Sequence, residues 1–375
     1  MKKDKALQVC SYYMGTRLYQ NLFDEFEKEG IEHDILYFAS NTTRIDNPPD
    51  NFIFSKAYNP IDRFIFSVKH RKVYNDIIKK INPNDYYLTH AHSLVSNGYI
   101  SNRLKQDYGI PYIVAVRNTD LFTFFKVLPH SILLGRKIMN EAERVVFLSK
   151  AYRDLTINKY VAEKDKENIM KKSLIIPNGI DDYYLENKRT EIKDISKPIK
   201  LIYVGRVDDL NKNVLTTIKA CDLLIKKGNE IELTLVGRFE SKIFKKIIPK
   251  RDYIKYIGKT DKVGVREQLL KNDIFVMPSK RETFGLVYVE AMSQGLPVIY
   301  TKGQGFDTQF KEGEVGYHVQ YNDAEEIAET ILKIAKNYKK MSENAIKKSE
   351  EFNWEDISKI YIENYNQIRK EEEIR

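Results

Sequence analysis

Four charged side chains in two short stretches carry the strongest chemical signal in this sequence. Arg206 and Lys212 lie six positions apart in GRVDDLNK, and Glu282 and Glu290 eight apart in ETFGLVYVE. Gly205 follows an apolar run and Lys212 opens a helical one. Two cations and a helix N-terminus around one loop make an anion site of the size a diphosphate needs. The same pair also fits two solvated surface cations. Glu282 sits in a polar loop, where its carboxylate can accept hydrogen bonds from the hydroxyls of a polyol. The N–H groups of Thr283, Phe284, Gly285 and Leu286 can receive a phosphate or sugar oxygen, and Gly285 lets the backbone come close. Glu290, on the helix that follows, can bind a ribose diol. The plainer alternative is that Glu282 favours the helix N-terminus electrostatically and Glu290 is a surface residue. Hydrolysis by this pair is disfavoured. Eight helical residues span about 12 Å, whereas a glycosidase pair stands roughly 5 to 9.5 Å apart.

The elements that must position these residues alternate along the whole chain. In the first half, strands are expected at 7–12, 33–38, 86–89, 112–116, 144–148 and 173–177. Helices are expected at 18–29, 61–81, 95–108 and after Ser149. The stretch 41–51 reads as loop. In the second half, strands are expected at 200–204, 232–236, 253–257, 274–277, 298–300 and 316–319. Helices are expected at 213–227, from Phe284, 262–271, 324–338, 342–351 and 354–373. This order implies α/β architecture: two doubly wound parallel sheets, each covered by helices. Residues 181–197 are polar and without period, and read as a linker between domains 1–180 and 198–353. A cleft between two such domains is where function is expected. Several strands end in polar turns at what would be the carboxyl edge of a sheet. These are Met14-Gly15-Thr16-Arg17, His90-Ala91-His92 and Arg117-Asn118-Thr119-Asp120.

With 375 residues the chain is long enough for two cores. No apolar run reaches the ~20 residues of a membrane span, and the N-terminus does not read as a signal peptide. Cys10 and Cys221 fall in expected core elements, which favours buried free thiols in a reducing cytoplasm over a disulfide or a metal site. The net charge of +9 admits an anionic ligand or an anionic membrane surface. No nucleic-acid module is visible. Arg63-Phe64-Ile65-Phe66 and Lys69-His70-Arg71-Lys72 interleave basic and aromatic residues, and Phe122, Phe124 and Phe125 add to them. Such a surface suits a lipid-linked acceptor at a membrane, or is an amphipathic helix packed on its sheet.

ETFGLVYVE is a Glu-x7-Glu motif. With VGR and Lys212 upstream, IIPNGID at 175–181 and EAMSQGLPVI at 290–299, the chain resembles the retaining GT-B glycosyltransferases of family 4, nearly end to end. The resemblance implies two Rossmann-like domains facing a cleft. The nucleotide-sugar donor would bind mainly to the second and the acceptor mainly to the first. A last helix, 354–375, would pack back on the first domain. It implies no metal and no cofactor beyond the nucleotide-diphosphate-sugar co-substrate, a UDP-sugar in preference to a GDP-sugar. Arg206 and Lys212 would stabilise the leaving diphosphate, Glu282 would position the donor sugar, residues 283–286 would give backbone contacts and Glu290 would hold the ribose. His92, the second histidine of a His-x-His, would lie near the acceptor and the donor sugar, with a catalytic part. A histidine capping the next helix is the alternative.

Three departures from the family pattern bear on the acceptor or phosphate side, where Gly15, Arg17, His92, Arg117, Asn118 and Asp120 are the candidates. Gly15 stands alone where the family has a Gly-Gly pair. Arg117 stands where the family has a histidine, and would meet a phosphate or an anionic acceptor. Thr308 occupies a common glutamate position near the donor. The expected activity is transfer of a hexose-type sugar to a hydroxyl of a glycan or lipid-linked acceptor, in cell-surface polysaccharide or glycolipid synthesis. The enzyme would be cytoplasmic or peripheral at the inner membrane face. The rivals are a nucleotide-sugar epimerase on the same fold and a nucleotide-sugar-binding protein without turnover. A dinucleotide dehydrogenase is disfavoured because no Gly-x-Gly-x-x-Gly follows any expected strand.

Overall fold

The computed structural model describes residues 4–241, 248 and 250–374. The chain divides into two compact units. The first comprises Met1–Leu148, Arg153–Pro177 and Trp354–Arg375, and the second Ser149–Tyr152 and Asn178–Asn353.

The first unit is built on seven strands: β1 (Lys5–Val9), β2 (His33–Ser40), β3 (Phe52–Tyr58), β4 (Tyr86–Ala91), β5 (Tyr112–Ala115), β6 (Arg144–Phe147) and β7 (Ser173–Ile175). Their order is β3-β2-β1-β4-β5-β6-β7, and all pairs are parallel. Helices on both faces bury the sheet, so central strands such as YIVA of β5 are apolar and enclosed throughout. The chain winds one way from β1 to β2 and the other way from β1 to β4. The carboxyl ends of β1 and β4 therefore flank a topological switch point, the place where open α/β sheets bind ligands.

The helix Arg17–Lys28 turns Leu22, Phe23 and Phe26 inward. It meets the helix Trp354–Ile374, where Phe26 packs edge-on against Tyr361 at 6.2 Å and tilted against Tyr365 at 5.6 Å. That last helix is also tied to the strands by a buried polar relay. His92 Nε2 lies 2.9 Å from Gln8 Oε1, which can only accept, so this nitrogen carries the proton. Gln8 Nε2 donates to the Tyr365 hydroxyl at 3.3 Å, and Tyr365 donates to His90 Nδ1 at 2.6 Å.

The second unit has six strands: β8 (Ile199–Val204), β9 (Ile231–Val236), β10 (Ile254–Ile257), β11 (Ile274–Val276), β12 (Val298–Thr301) and β13 (Gly316–Val319). Their order is β10-β9-β8-β11-β12-β13, again parallel throughout. The switch point here lies between β8 and β11. Beneath β11 and β12 the rings of Phe275, Tyr288, Tyr300 and Phe306 form one aromatic cluster, with centroids 4.8 to 6.2 Å apart.

Some expectations are corrected. The stretch 61–81 is not one helix. Pro60–Phe64 is a separate 3-10 turn, closed by the Asp62 carboxylate accepting from Asn59 N–H at 2.8 Å, and the helix proper is Phe66–Ile77. Strand β3 was not anticipated, because it lies at the sheet edge and its side chains are mostly half-buried, without alternation. The helices Ser131–Glu141 and Glu163–Lys171 were also missed. Residues 181–197 are not a free linker. Asp182–Glu186 is a helix, and the rest is held to the second unit by Arg189 N–H to Ser293 O at 2.9 Å and by Lys193 to Asp273 at 2.6 Å. Cys10 and Cys221 are free and buried, and burial pushes both thiols up to about 12. Among the described residues no helix is long and apolar enough to cross a membrane.

Tyr365→Phe should destabilise the protein by about 1–3 kcal/mol, because it leaves His90 Nδ1 and the Gln8 amide without their buried partner. Urea unfolding reads this. A change under about 0.5 kcal/mol, the scale of a neutral surface substitution, would show that the relay does not hold the last helix.

Candidate active site

Two strand-end loops of the second unit meet at the switch point. The loop after β8 carries Gly205, Arg206 and Lys212, and the loop after β11 carries Glu282 to Gly285. They are stitched by backbone and amide contacts: Lys280 N–H to Asn211 O at 2.7 Å, Asn211 Nδ2 to Arg281 O at 2.9 Å and Asn213 Nδ2 to Pro278 O at 2.9 Å. Across this seam Lys212 Nζ donates to Glu282 Oε2 at 2.6 Å. The two side chains are only 26% and 12% exposed, so water screens the pair weakly.

Arg206 is also held. Its Nε donates to Asp208 Oδ1 at 2.7 Å. The other oxygen of Asp208 takes the N–H groups of Glu240 and Ser241 at 2.9 and 2.7 Å. The hydrogen bond from Arg206, then these N–H groups, pull the Asp208 carboxyl down to about 2. The Arg206 side chain itself remains 60% exposed, with the rest of its guanidinium open to a ligand.

The helix of the Glu-x7-Glu stretch starts at Leu286, two residues later than expected, because Gly285 takes the left-handed conformation at φ 83° and caps it. A side chain at 285 would meet the Tyr288 ring at 2.4 Å. Thr283 N–H is taken by Glu282 Oε1 at 3.2 Å. The N–H groups of Phe284, Gly285 and Leu286 have no protein acceptor among the described residues. The Phe284 side chain is buried against Phe306 and Phe352, so only its backbone can face a ligand. Behind this loop runs Gly305. Its N–H donates to Glu282 O at 2.8 Å, and a Cβ there would lie 1.7 Å from Thr283 O.

Glu290, one turn on, is half-buried; its backbone carbonyl accepts from Ser293 Oγ at 2.7 Å, while its carboxylate has neither hydrogen bond nor ion pair among the described residues. Burial, then the charge of Asp181, push its carboxyl up to about 7. Thr308 sits at φ 68° and its hydroxyl accepts from Ala151 N–H at 3.0 Å.

The first-unit candidates gather at the carboxyl edge near the β1–β4 switch point, and their roles separate. Gly15 and Arg17 are exposed, at a 3-10 turn and at the start of the helix Arg17–Lys28. His92 is not placed to touch a substrate. It has no exposed surface and lies among Gln8, His90, Tyr19 and Phe23 of its own unit. Burial, then His90 and Arg117, hold it well below the usual histidine range, so it is neutral and bare at Nδ1. Asp120 is likewise enclosed. Its carboxylate takes the N–H groups of Leu94, Val95 and Arg117 at 2.8 to 3.0 Å, while burial raises it to about 6. Neither side chain has exposed surface. Arg117 is 8% exposed. Its Nε donates to His92 O at 3.4 Å, its Nη1 has no partner, and Asn118 Oδ1 beside it has none either. Among the described residues no carboxylate forms an ion pair with Arg117.

Reading the sequence missed Asp208, Asn211, Asn213 and the packing role of Gly305. Asp208 and the two asparagines lie inside the loop already singled out, and polar residues with local hydrogen-bonding habits were the available signal. The need for glycine at 305 is set by the carbonyl of Thr283 in the loop after β11 and left no local trace.

Gly305→Ala should weaken nucleotide binding at least about tenfold, since one methyl displaces the backbone that carries the ligand-facing N–H groups. Gly258→Ala, where a Cβ meets nothing within 4 Å, should leave stability and binding unchanged. Calorimetric titration of both variants checks this, and equal behaviour would remove the claim that Gly305 braces the loop.

Residues 15–183 match the Glycosyltransferase Family 4 family and residues 186–352 match Glycosyl transferases group 1. The two matches adjoin. An uncharacterized glycosyltransferase of Methanocaldococcus jannaschii is 26% identical over 288 residues, covering 74% of this chain and 75% of that protein. A capsular polysaccharide biosynthesis glycosyltransferase of Staphylococcus aureus is 26% identical over 250 residues, 61% of this chain and 64% of that protein. Among solved structures, an Anabaena protein in complex with UDP-glucose shares the fold at TM-score 0.69 and 15% identity, over 97% of this chain and 99% of that one. Both halves of the chain thus belong to one family of enzymes, the GT-B glycosyltransferases of family 4.

Proposed function

We propose that this glycosyltransferase moves a hexose-type sugar, with retention, from a UDP-sugar to a hydroxyl of a glycan or lipid-linked acceptor. The observation that carries the reading is the Lys212–Glu282 pair set beside the free N–H groups of 284–286. It puts a cation, a sugar-binding carboxylate and phosphate-binding donors in one place. The similarity to a fold that holds UDP-glucose supports a UDP-sugar, and the capsular relative supports a polysaccharide acceptor.

In this reading the diphosphate lies against Arg206 and Lys212, and the ribose diol donates to Glu290. Lys212 has three N–H bonds and can keep Glu282 while meeting a phosphate oxygen. The bond between the anomeric carbon and the diphosphate oxygen breaks, and the electron pair leaves with the diphosphate. Arg206 and Lys212 stabilise that charge as it develops, a task that needs no metal ion here. The acceptor hydroxyl attacks from the same face, and its proton passes to the departing phosphate. Glu282 orients the sugar hydroxyls while positive charge grows on the ring. Arg117 and Asn118 in the first unit, with unsatisfied polar atoms, would serve an acceptor that carries an anionic group.

Thermal stabilisation by a panel of nucleotide sugars, followed by turnover with the one that binds, tests the reading. Arg206→Ala and Lys212→Ala should each lower kcat/KM by about 10²–10³, the usual cost of one lost donor to developing charge. Near-normal turnover in both would remove the diphosphate site.

Glu290 makes a second test. A carboxylate, but not a carboxylic acid, accepts both bonds of a diol. Affinity for a nucleotide sugar, whose diphosphate diester has no proton to lose near neutrality, should therefore rise as pH passes through about 7 and level off above. Because its folded pKa is raised, Glu290 adds stability that is fully present below 4.5 and lost as pH rises through 7. Glu290→Gln should flatten both profiles. A pH dependence of binding that survives the substitution would dissociate Glu290 from the ribose.

A further inference from the structure

The first unit carries an exposed apolar patch that the transfer reaction does not use. The 3-10 turn Pro60–Phe64 and the start of the helix Phe66–Ile77 present Ile61 at 76% exposure, Phe64 at 86% and Ile65 at 53%. Exposure of this degree in adjacent large apolar side chains is not how a soluble face is built. The patch extends onto a second segment, because Phe66 packs edge-on against Phe124 at 6.1 Å. Val127 and Leu133, further along that segment, are 67% and 68% exposed. The core does not lack these residues. Val73, Tyr74 and Ile77 of the same helix fill its inner face, so the outward apolar side chains are a second face rather than a mispacked first one.

The charge around the patch is of one sign. Residues 122–137 contain no Asp or Glu, and residues 60–72 contain one. That one, Asp62, is tied to Lys72 at 2.8 Å. Arg63, Arg71 and Lys126 are exposed and form no ion pair among the described residues. A protein partner would need a counter-patch of matching shape. A disordered anionic surface with an apolar layer beneath it needs only exposed apolar side chains with cations nearby in the chain, and Ile61, Phe64 and Ile65 with Arg63, Arg71 and Lys126 supply both.

We propose that this face docks the enzyme on an anionic lipid surface. Ile61, Phe64 and Ile65 enter the headgroup–acyl boundary, and Arg63, Arg71 and Lys126 pair with lipid phosphates. The surface lies in the unit that also carries Arg117 and Asn118, so a docked enzyme would meet a lipid-linked acceptor without lifting it into water. The inference does not rest on the donor site, and the two fail separately: one in vesicle binding, the other in nucleotide binding.

The test is co-sedimentation of the full chain with vesicles of phosphatidylglycerol and phosphatidylcholine in equal parts, against phosphatidylcholine alone. Binding should be confined to the anionic vesicles and should weaken with salt. Ile61→Glu/Phe64→Glu and, separately, Arg63→Ala/Arg71→Ala/Lys126→Ala should each lower partitioning about tenfold or more. All five positions are exposed, so melting temperature, solution mass and nucleotide-sugar affinity should match the parent. Equal binding to neutral and anionic vesicles, no binding to either, or unchanged partitioning in both variants overturns the proposal. So does a fall in solution mass in the Glu variant, which would show the patch covered by a second copy of the chain.

Discussion

The ion pair between Lys212 and Glu282 is the constraint on which the donor site depends. The residues stand 70 positions apart, and they meet because β8 and β11 are neighbours although β9, β10 and the helices Val214–Lys226 and Lys262–Lys271 lie between them in the chain. Neighbouring parallel strands with crossovers running in opposite directions leave their following loops side by side. The asparagine contacts fix the seam, and the pair then places one positive and one negative group at hydrogen-bond distance in a partly dry setting. Each charge has a use beyond the other. The cation can share a diphosphate and the carboxylate can accept from a sugar. Arg206 and Asp208 repeat the logic, with Asp208 anchored by two backbone N–H groups so that it orients Arg206 without neutralising the outer guanidinium edge. The donor site is thus assembled from paired charges rather than from free ones.

The first unit spends its polar residues differently. Gln8, His90, His92 and Tyr365 form a directional relay inside the core, and Asp120 gathers three backbone N–H groups. The relay ties β1 and β4 to the last helix, Asp120 ties the loop after β5 to the loop after β4, and Arg117 is left as a buried cation with one nitrogen unsatisfied. Asp120 offsets this charge without forming an ion pair with it, and a buried guanidinium nitrogen without a hydrogen-bond acceptor is costly to maintain. Its persistence at the carboxyl edge of the sheet agrees with a site that completes itself on an anionic group.

Much of this was legible in the sequence. Alternating apolar runs with Gly and Pro punctuation gave both sheets, and most strand limits fall within two residues of those expected. The Glu-x7-Glu stretch and the loop of Arg206 and Lys212 were identified because loop chemistry is local. Three things were not local. The edge strand β3 lacks an alternating pattern. The short helix Asp182–Glu186 is below the length at which period can be seen, and its cap, Asp181, reads equally well as loop. His92 and Asp120 carry residue types that suggest chemistry, yet tertiary packing encloses them, and burial is a property of neighbours contributed from distant segments. The same holds for Gly305, whose constraint is the carbonyl of Thr283 rather than its own backbone angles.

The central claim is that Lys212 is held by Glu282 in the free enzyme and shared with the diphosphate in the complex. The most direct measurement is calorimetric titration of Glu282→Gln with UDP and with UDP-sugar, beside the parent. Removing the carboxylate frees Lys212 and eliminates a competing negative charge, so the variant should bind UDP at least as tightly as the parent. It should also lose sugar transfer by about 10² or more, because the sugar hydroxyls lose their charged acceptor. A variant that binds UDP as poorly as Lys212→Ala, or that transfers sugar at the parental rate, would contradict the account.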